Sequence, residues 1–302
     1  MNHEGHERYE FVRGFLVFVI VVCFVVSSPA QFRARVETVQ VTVTVTDANG
    51  RLIAGLARDD FEVLEDGVPQ PITVFTSERV PVSLGVLLDA SDSMRGRRMA
   101  DARAAVDQFL MGLLDRGDEA FVAAFNHRPR LVAPWTRPPS ALAGDSGRVL
   151  PSGGTALYDS LVASAGYFVR RVHPRSALVV VSDGVDTASD WTLPRARDVL
   201  QHADPLVYAI AVDSTLATVK RPSSVEALRE ITTTSGGYTE VVTSTAELGP
   251  ATARIADELN KQYTLGYVPM KPPDGQWRGI RVRVHNSDYV TRARRGYYAM
   301  RP

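Results

Sequence analysis

Three short motifs in this sequence concentrate oxygen-bearing side chains. Asp89-Ala90-Ser91-Asp92-Ser93 sets a carboxylate and two hydroxyls at alternate positions, Pro151-Ser152-Gly153-Gly154-Thr155 adds a hydroxyl behind two glycines, and Ser182-Asp183-Gly184 adds a second carboxylate. Carboxylates and hydroxyls are hard donors. A set made of Asp89, Ser91, Ser93, Thr155 and Asp183 suits Mg²⁺, with Mn²⁺ or Ca²⁺ as alternatives, and not zinc or copper. Taken singly, each motif has a plainer reading: D-x-S-x-S can cap the helix that follows, and Asp-Gly can turn the chain. The chemistry requires that the three meet.

Other residues offer less. Asp92 is a candidate for a second cation site or a solvated loop carboxylate. Asp186 and Asp190 follow Asp183 closely and are expected to make a rim acidic. Asp159 is expected to favour a helix N-terminus or to orient Thr155. His127, His173, His202 and His285 are scattered, with no H-E-x-x-H pair. Ser152 lacks the G-x-S-x-G elbow of a hydrolase nucleophile, and no glycine-rich phosphate loop carries a lysine. Arg292, Arg294 and Arg295 are expected to be solvated. No nucleophile with an adjacent base is visible, so the chain is not expected to be an enzyme.

The elements that must position the motifs change texture twice. From Val36 to Asp47 the sequence alternates β-branched and polar residues, the period of a half-buried strand, and Asn49-Gly50 supplies a turn. Phe61–Leu64 and Ile72–Phe75 read as a hairpin around Glu65-Asp66-Gly67, with Pro69 and Pro71 suited to an edge. From residue 83 the strands become continuous apolar runs: Leu84–Leu88, Ala120–Phe125, Ala177–Val181 and Leu206–Val212. Helical spacing separates them over 99–114, 156–172, 193–202, 223–233 and 246–262, with a short strand near 238–242. Buried strands alternating with amphipathic helices predict a doubly wound, mostly parallel α/β sheet over 80–260. After Lys261 the pattern returns to short antiparallel strands. The segments 31–79 and 261–302 are each too small to bury much core. They are expected to pack together as a small β-sandwich, with an 80–260 domain between them that folds alone. In an open parallel sheet ligands bind beyond the carboxyl ends of the strands, and all three motifs fall at such ends.

Composition narrows the setting. The 302 residues carry 34 basic and 34 acidic side chains, which argues against a nucleic-acid or anionic-membrane partner read by bulk charge. Gly14–Val26 is an uncharged apolar run followed by Ser27-Ser28-Pro29-Ala30, the layout of a signal peptide over 1–30 cut after Ala30. An uncleaved anchor helix is the other reading, and the only membrane association expected. Either way export to periplasm, envelope or exterior is implied. Cys23 is the single cysteine, so no internal disulfide or cysteine zinc site is available.

The three motifs together, in this order, resemble the metal-ion-dependent adhesion site of the von Willebrand factor type A domain. The flanks "TVTDANGRLIAGLARDDFEVLEDGVPQPITVF" and "QYTLGYVPMKPPDGQWRGIRVRV" are similar to the surroundings of a secreted VWFA-related family typical of acidobacteria. The resemblance implies that Ser91, Ser93 and, in the ligand-ready state, Thr155 bind the ion directly, while Asp89 and Asp183 act mainly through coordinated water or hydrogen bonds. It implies one open coordination place that an acidic side chain of a protein partner fills. The favoured class is therefore an exported, metal-dependent protein-binding module. A metal-dependent hydrolase, for which only Asp92 and Asp186 offer a base, and an envelope structural protein with a stabilising ion are the alternatives.

Overall fold

A computed structural model describes residues 38–183, 185–212 and 222–300; the signal-like segment 1–30 lies outside them. Fourteen strands and five α-helices are assigned among these residues. The parallel layer is built from β5 (Ser83–Asp89), β6 (Glu119–Phe125), β8 (Ser176–Ser182), β9 (Leu206–Val212) and β10 (Thr239–Val242). With β7 (Pro129–Thr136) the sheet order is β10-β9-β8-β5-β6-β7. All neighbours are parallel except β6 and β7. The antiparallel β7 has no counterpart in the sequence reading, because its two prolines and half-exposed residues break the apolar run that marks its neighbours.

Every residue of β5, β6, β8 and β9 is buried, since helices cover both faces of these strands. One face carries Leu84, Val86 and Leu88 against α1 (Arg97–Gln108) and α5 (Leu248–Asn260), which contribute Met99, Ala102, Val106, Ile255 and Leu259. The other carries Leu87, Phe121 and Val180 against α2 (Leu157–Tyr167), α3 (Leu193–Ala203) and α4 (Pro222–Ser235). Full burial of each such aliphatic side chain contributes about 1.5–3 kcal/mol. Gly85 is dictated by packing: a Cβ there would stand 2.5 Å from the Phe121 ring.

The remaining strands form two four-stranded sheets around a third core. β1 (Val39–Thr46), β4 (Ile72–Thr76), β11 (Tyr263–Tyr267) and β13 (Val290–Arg292) run in the order β13-β1-β11-β4. β2 (Phe61–Glu65), β3 (Val68–Gln70), β12 (Trp277–Val284) and β14 (Gly296–Tyr298) run β14-β12-β2-β3. Val39, Val41, Val43, Phe61, Val63, Leu265 and Val282 share the core between them. One sequence expectation is corrected here. Phe61–Glu65 turns back onto Val68–Gln70, and Ile72–Thr76 leaves for the other sheet to pair with β11. Pro71, which has no N–H to extend the ladder, sits at the crossing.

From residue 38 onward the described residues make one compact unit, with the flanking sheets packed against the parallel layer. A buried polar knot explains the continuity. Glu258 of α5 accepts hydrogen bonds from Thr44 of β1 and Tyr208 of β9, each at 2.9 Å, and pairs with Arg292 of β13. Gln262 donates to the same Thr44 and Tyr208 hydroxyls. Arg175, before β8, binds the Val80 and Leu259 carbonyls and the Gln262 side chain. Removing one partner would strand the others away from water, so the expectation that 80–260 folds alone meets a polar core shared with its flanks.

Candidate metal centre

β5 lies between β6 and β8, with the chain leaving it toward one side and returning on the other. This is the switch point at which an open parallel sheet leaves a crevice beyond its carboxyl edge. Asp89 is the last residue of β5 and is fully buried. Its Oδ1 accepts the Ser91 amide at 2.8 Å and its Oδ2 accepts the Ser182 hydroxyl at 2.6 Å. Burial pushes the carboxyl up to about 6; hydrogen bonds from Ser182 and Ser91 pull it partly back, and the nearby Asp183 charge raises it further. The Ser91 and Ser93 hydroxyls stand 2.9 Å apart. Ser91 is buried beneath, and Ser93 is exposed. Neither caps α1, whose N-cap is Gly96 with no side-chain hydrogen bond, so the plain helix-capping reading of D-x-S-x-S does not hold.

The second motif reaches the same place by a route the sequence did not show. Residues 151–155 follow the antiparallel β7 and two short helical turns, not a parallel strand end. The loop is laced to its neighbours by backbone bonds: Ser152 N–H to the Ala90 carbonyl (2.8 Å), Asp92 N–H to Gly153 (3.0 Å) and Ala156 N–H to Asn126 (2.6 Å). Gly153 has φ +74°, and a Cβ there would meet the His127 ring at 3.2 Å; one on Gly154 would meet the Thr187 hydroxyl at 3.0 Å. The glycine pair is what lets the loop close on both sides. Thr155, buried, donates its N–H to the Thr187 hydroxyl at 2.9 Å, and its carbonyl accepts the Thr187 N–H at 2.8 Å.

Thr187 belongs to the third loop, after β8. That loop carries Asp183, half-buried and near enough to Asp89 for its charge to be felt. It also completes the start of α2, where the first amides of a helix lack internal partners. Asp186 accepts the Tyr158 N–H at 3.1 Å, Ser189 accepts the Asp159 N–H at 3.1 Å, and Asp159 returns a bond by accepting the Trp191 N–H at 2.9 Å. Asp159 therefore anchors the third loop rather than Thr155. Asp92 is spent on Arg95 at 2.7 Å, and Asp190 is exposed. His127 lies against Gly153, whereas His173 bonds the Gly117 carbonyl and His202 stacks on Tyr298, both away from the crevice.

The three loops thus bring Asp89, Ser91, Ser93, Thr155 and Asp183 to one edge of the sheet. Among the described residues no three His, Cys, Asp or Glu side chains gather as a cage. A donor set of two carboxylates and three hydroxyls is the composition that fits a hard divalent ion. Two supporting residues were not singled out from sequence. Ser182, which fixes Asp89, was visible only as the first letter of Ser-Asp-Gly; Thr187 carried no signal, because its partner is 32 positions away.

Residues 84–185 match the von Willebrand factor type A domain family. No curated protein matches the chain in sequence. Among solved structures, a von Willebrand factor type A protein from Catenulispora acidiphila is 15% identical, covering 87% of this chain and 72% of its own, with a TM-score of 0.51. The vWF domain of the type V pili tip protein Mfa5 from Porphyromonas gingivalis is 14% identical over 60% of this chain and 96% of its own, also at 0.51. Proximal thread matrix protein 1 from the mussel byssus is 15% identical over 63% and 49%, again at 0.51. At these identities the likeness is one of fold. The doubly wound layer has the von Willebrand factor type A fold, and its residues 84–185, which hold all three motifs, match that domain family in sequence.

Proposed function

We propose that this chain is an interaction module of the adhesion type, working outside the cytoplasm, in which a divalent cation links the domain to a carboxylate of a protein partner. Ser91, Ser93 and Thr155 would hold the ion directly, and Asp89 and Asp183 would balance its charge and orient the hydroxyls. Mg²⁺ is the favoured ion, with Mn²⁺ or Ca²⁺ as alternatives. Bound there, the ion supplies a Lewis-acidic point to which an anionic group can attach. The observation that carries the reading is the Ser91–Ser93 hydroxyl pair set above the buried Asp89 carboxylate. A hydroxyl-rich shell neutralises less of the cation than a carboxylate cage does, which leaves attraction for an outside carboxylate.

Binding is favoured over hydrolysis because the two nearby carboxylates that a hydrolase would use as base are committed. Asp92 pairs with Arg95, and Asp186 holds the Tyr158 amide and the Ser189 hydroxyl at 2.6 Å. A role outside the cytoplasm draws support from the signal-like N-terminus and from fold relatives at a pilus tip and in byssal matrix. Among the described residues no helix is long and apolar enough to cross a membrane.

The test is calorimetry of the chelator-stripped protein with Mg²⁺ and Mn²⁺, followed by capture of partners from envelope extract with and without EDTA. Saturable ion binding lost in Asp183→Ala, together with EDTA-sensitive capture, is the expected result. Absence of ion binding at millimolar concentration, or ion-dependent turnover of phosphate or carboxylic esters, would refute the proposal.

A further inference from the structure

Of the arginines at 292, 294 and 295, Arg295 is exposed as expected, whereas Arg292 and Arg294 are half-buried. All three line a cleft of about 1050 Å³ between the end of α4 and the strands β2, β12 and β13. Gly236 to Thr239, which lead into the start of β10, form one wall, so the cleft lies at the end of the parallel sheet opposite Asp89. The close approach of its walls depends on glycine. Gly236 has φ +94°, and a Cβ there would stand 2.5 Å from the Ala293 carbonyl carbon.

The charge in this cleft is one-sided. Arg229, Arg281, Arg283, Arg292, Arg294 and Arg295 all line it, and the one acidic lining residue, Asp66, is engaged by Lys271 at 2.8 Å. Four of these arginines have partners: Arg229 with Glu226 and Arg283 with Glu62, each at 3.6 Å, Arg292 with Glu258, and Arg294 with Asp204. Arg281 and Arg295 have no ion pair among the described residues. They are neighbours, since the Arg295 carbonyl accepts the Ile280 N–H at 2.8 Å. The guanidiniums of Arg292 and Arg294 are also covered by the Tyr238 and Tyr297 rings, at 4.8 and 5.5 Å, so the accessible unpaired donors of the cleft are those of Arg281 and Arg295.

We propose that this cleft is a binding site for a small multivalent oxyanion of the phosphate type, held by Arg281 and Arg295. Two uncompensated guanidinium charges match a dianion, and a phosphate group offers three acceptor oxygens to donors arriving from different segments. Planar guanidinium forks bind such groups in two-point fashion, which lysines do not. The volume exceeds that of one phosphate and leaves room for the body of a phosphorylated small molecule. This site is independent of the metal centre at the other end of the sheet.

The test uses the full-length protein in EDTA, with inorganic pyrophosphate titrated by calorimetry and thermal melting at constant ionic strength. Expected results are a saturable single site and a raised melting temperature. The Arg281→Ala/Arg295→Ala variant should melt as the wild type does without ligand and bind pyrophosphate at least tenfold more weakly. Asp183→Ala should bind it unchanged. Citrate, whose charge is spread over separate planar carboxylates, should bind more weakly than pyrophosphate. The proposal is overturned if pyrophosphate stabilises no more than chloride does, if the double variant keeps wild-type affinity, or if citrate binds the more tightly.

Discussion

Replacing Asp89 by asparagine should stabilise the ion-free protein at neutral pH while abolishing its response to Mg²⁺. Asp89 keeps its proton to about pH 6 in the fold, because burial disfavours the charged form, whereas an unfolded aspartate ionises near 3.9. The folded state therefore holds more protons than the unfolded state between these values, so stability falls as pH rises through the window. At about 1.4 kcal/mol per pH unit of difference, the ion-free wild type should lose roughly 3 kcal/mol between pH 4 and 6 and recover none above it. An asparagine at this position has no charge to bury and keeps the acceptor for the Ser91 amide, and the Ser182 hydroxyl can turn to accept from the new amide. In EDTA at pH 7.5, Asp89→Asn should melt higher than the wild type by roughly 6–12 °C, taking about 2–4 °C per kcal/mol at this chain size. Saturating Mg²⁺ should reverse the order, since a cation offsets the buried charge of Asp89 and finds none in the variant. Melting curves from pH 4 to 8, with EDTA or with Mg²⁺, give all four arms. If Asp89→Asn is the less stable protein in EDTA at pH 7.5 and shows the wild-type pH slope, the carboxylate is not a buried charge waiting for a cation.

The other predictions address partner binding and packing. Thr155→Ala should weaken binding of an acidic partner more than it lowers the melting temperature, whereas Asp183→Ala should lose both ion and partner. Wild-type affinity in Thr155→Ala, measured at matched ionic strength, would make the ion structural. Glu258→Ala should cost about 3–5 kcal/mol in urea unfolding, because it strands Thr44, Tyr208 and Arg292 in the shared polar knot; a loss below about 1 kcal/mol would dissolve that account. Gly85→Ala should destabilise by about 1–3 kcal/mol, since its Cβ would overlap the Phe121 ring in a core already filled. An unchanged denaturation midpoint would contradict it.

The parallel layer was legible because burial on both faces writes itself as unbroken apolar runs. Ser83–Asp89 and Leu206–Val212 could be read without reference to anything distant in the chain. The short strands β3 and β14 and the longer β7 were not, since their largely exposed or half-exposed residues, carrying proline or aromatic rings, have no period of their own. They exist because a neighbouring strand offers an edge. The same limit explains the misplaced hairpin: Ile72–Thr76 is as good a partner for Phe61–Glu65 as for Tyr263–Tyr267 by composition, and only the available sheet edge decides.

For the candidate site, residue type and spacing already named the candidate donors, because three motifs of hydroxyls and carboxylates could be placed near strand ends from local pattern alone. What spacing could not express is how the three loops are tied: the Ser182 hydroxyl on Asp89, Thr187 on Thr155, and the backbone bonds from 152 and 92 that bind two loops edge to edge. These are contacts between residues tens of positions apart, and no local propensity encodes them. The fate of the arginines is the sharpest case. A run of Arg292, Arg294 and Arg295 reads as solvated charge when only its neighbours in sequence are known. Bringing β12, α4 and the C-terminal strands together half-buries Arg292 and Arg294 and sets exposed Arg295 beside Arg281 in one cleft, because burial and charge excess are properties of what surrounds a side chain in space.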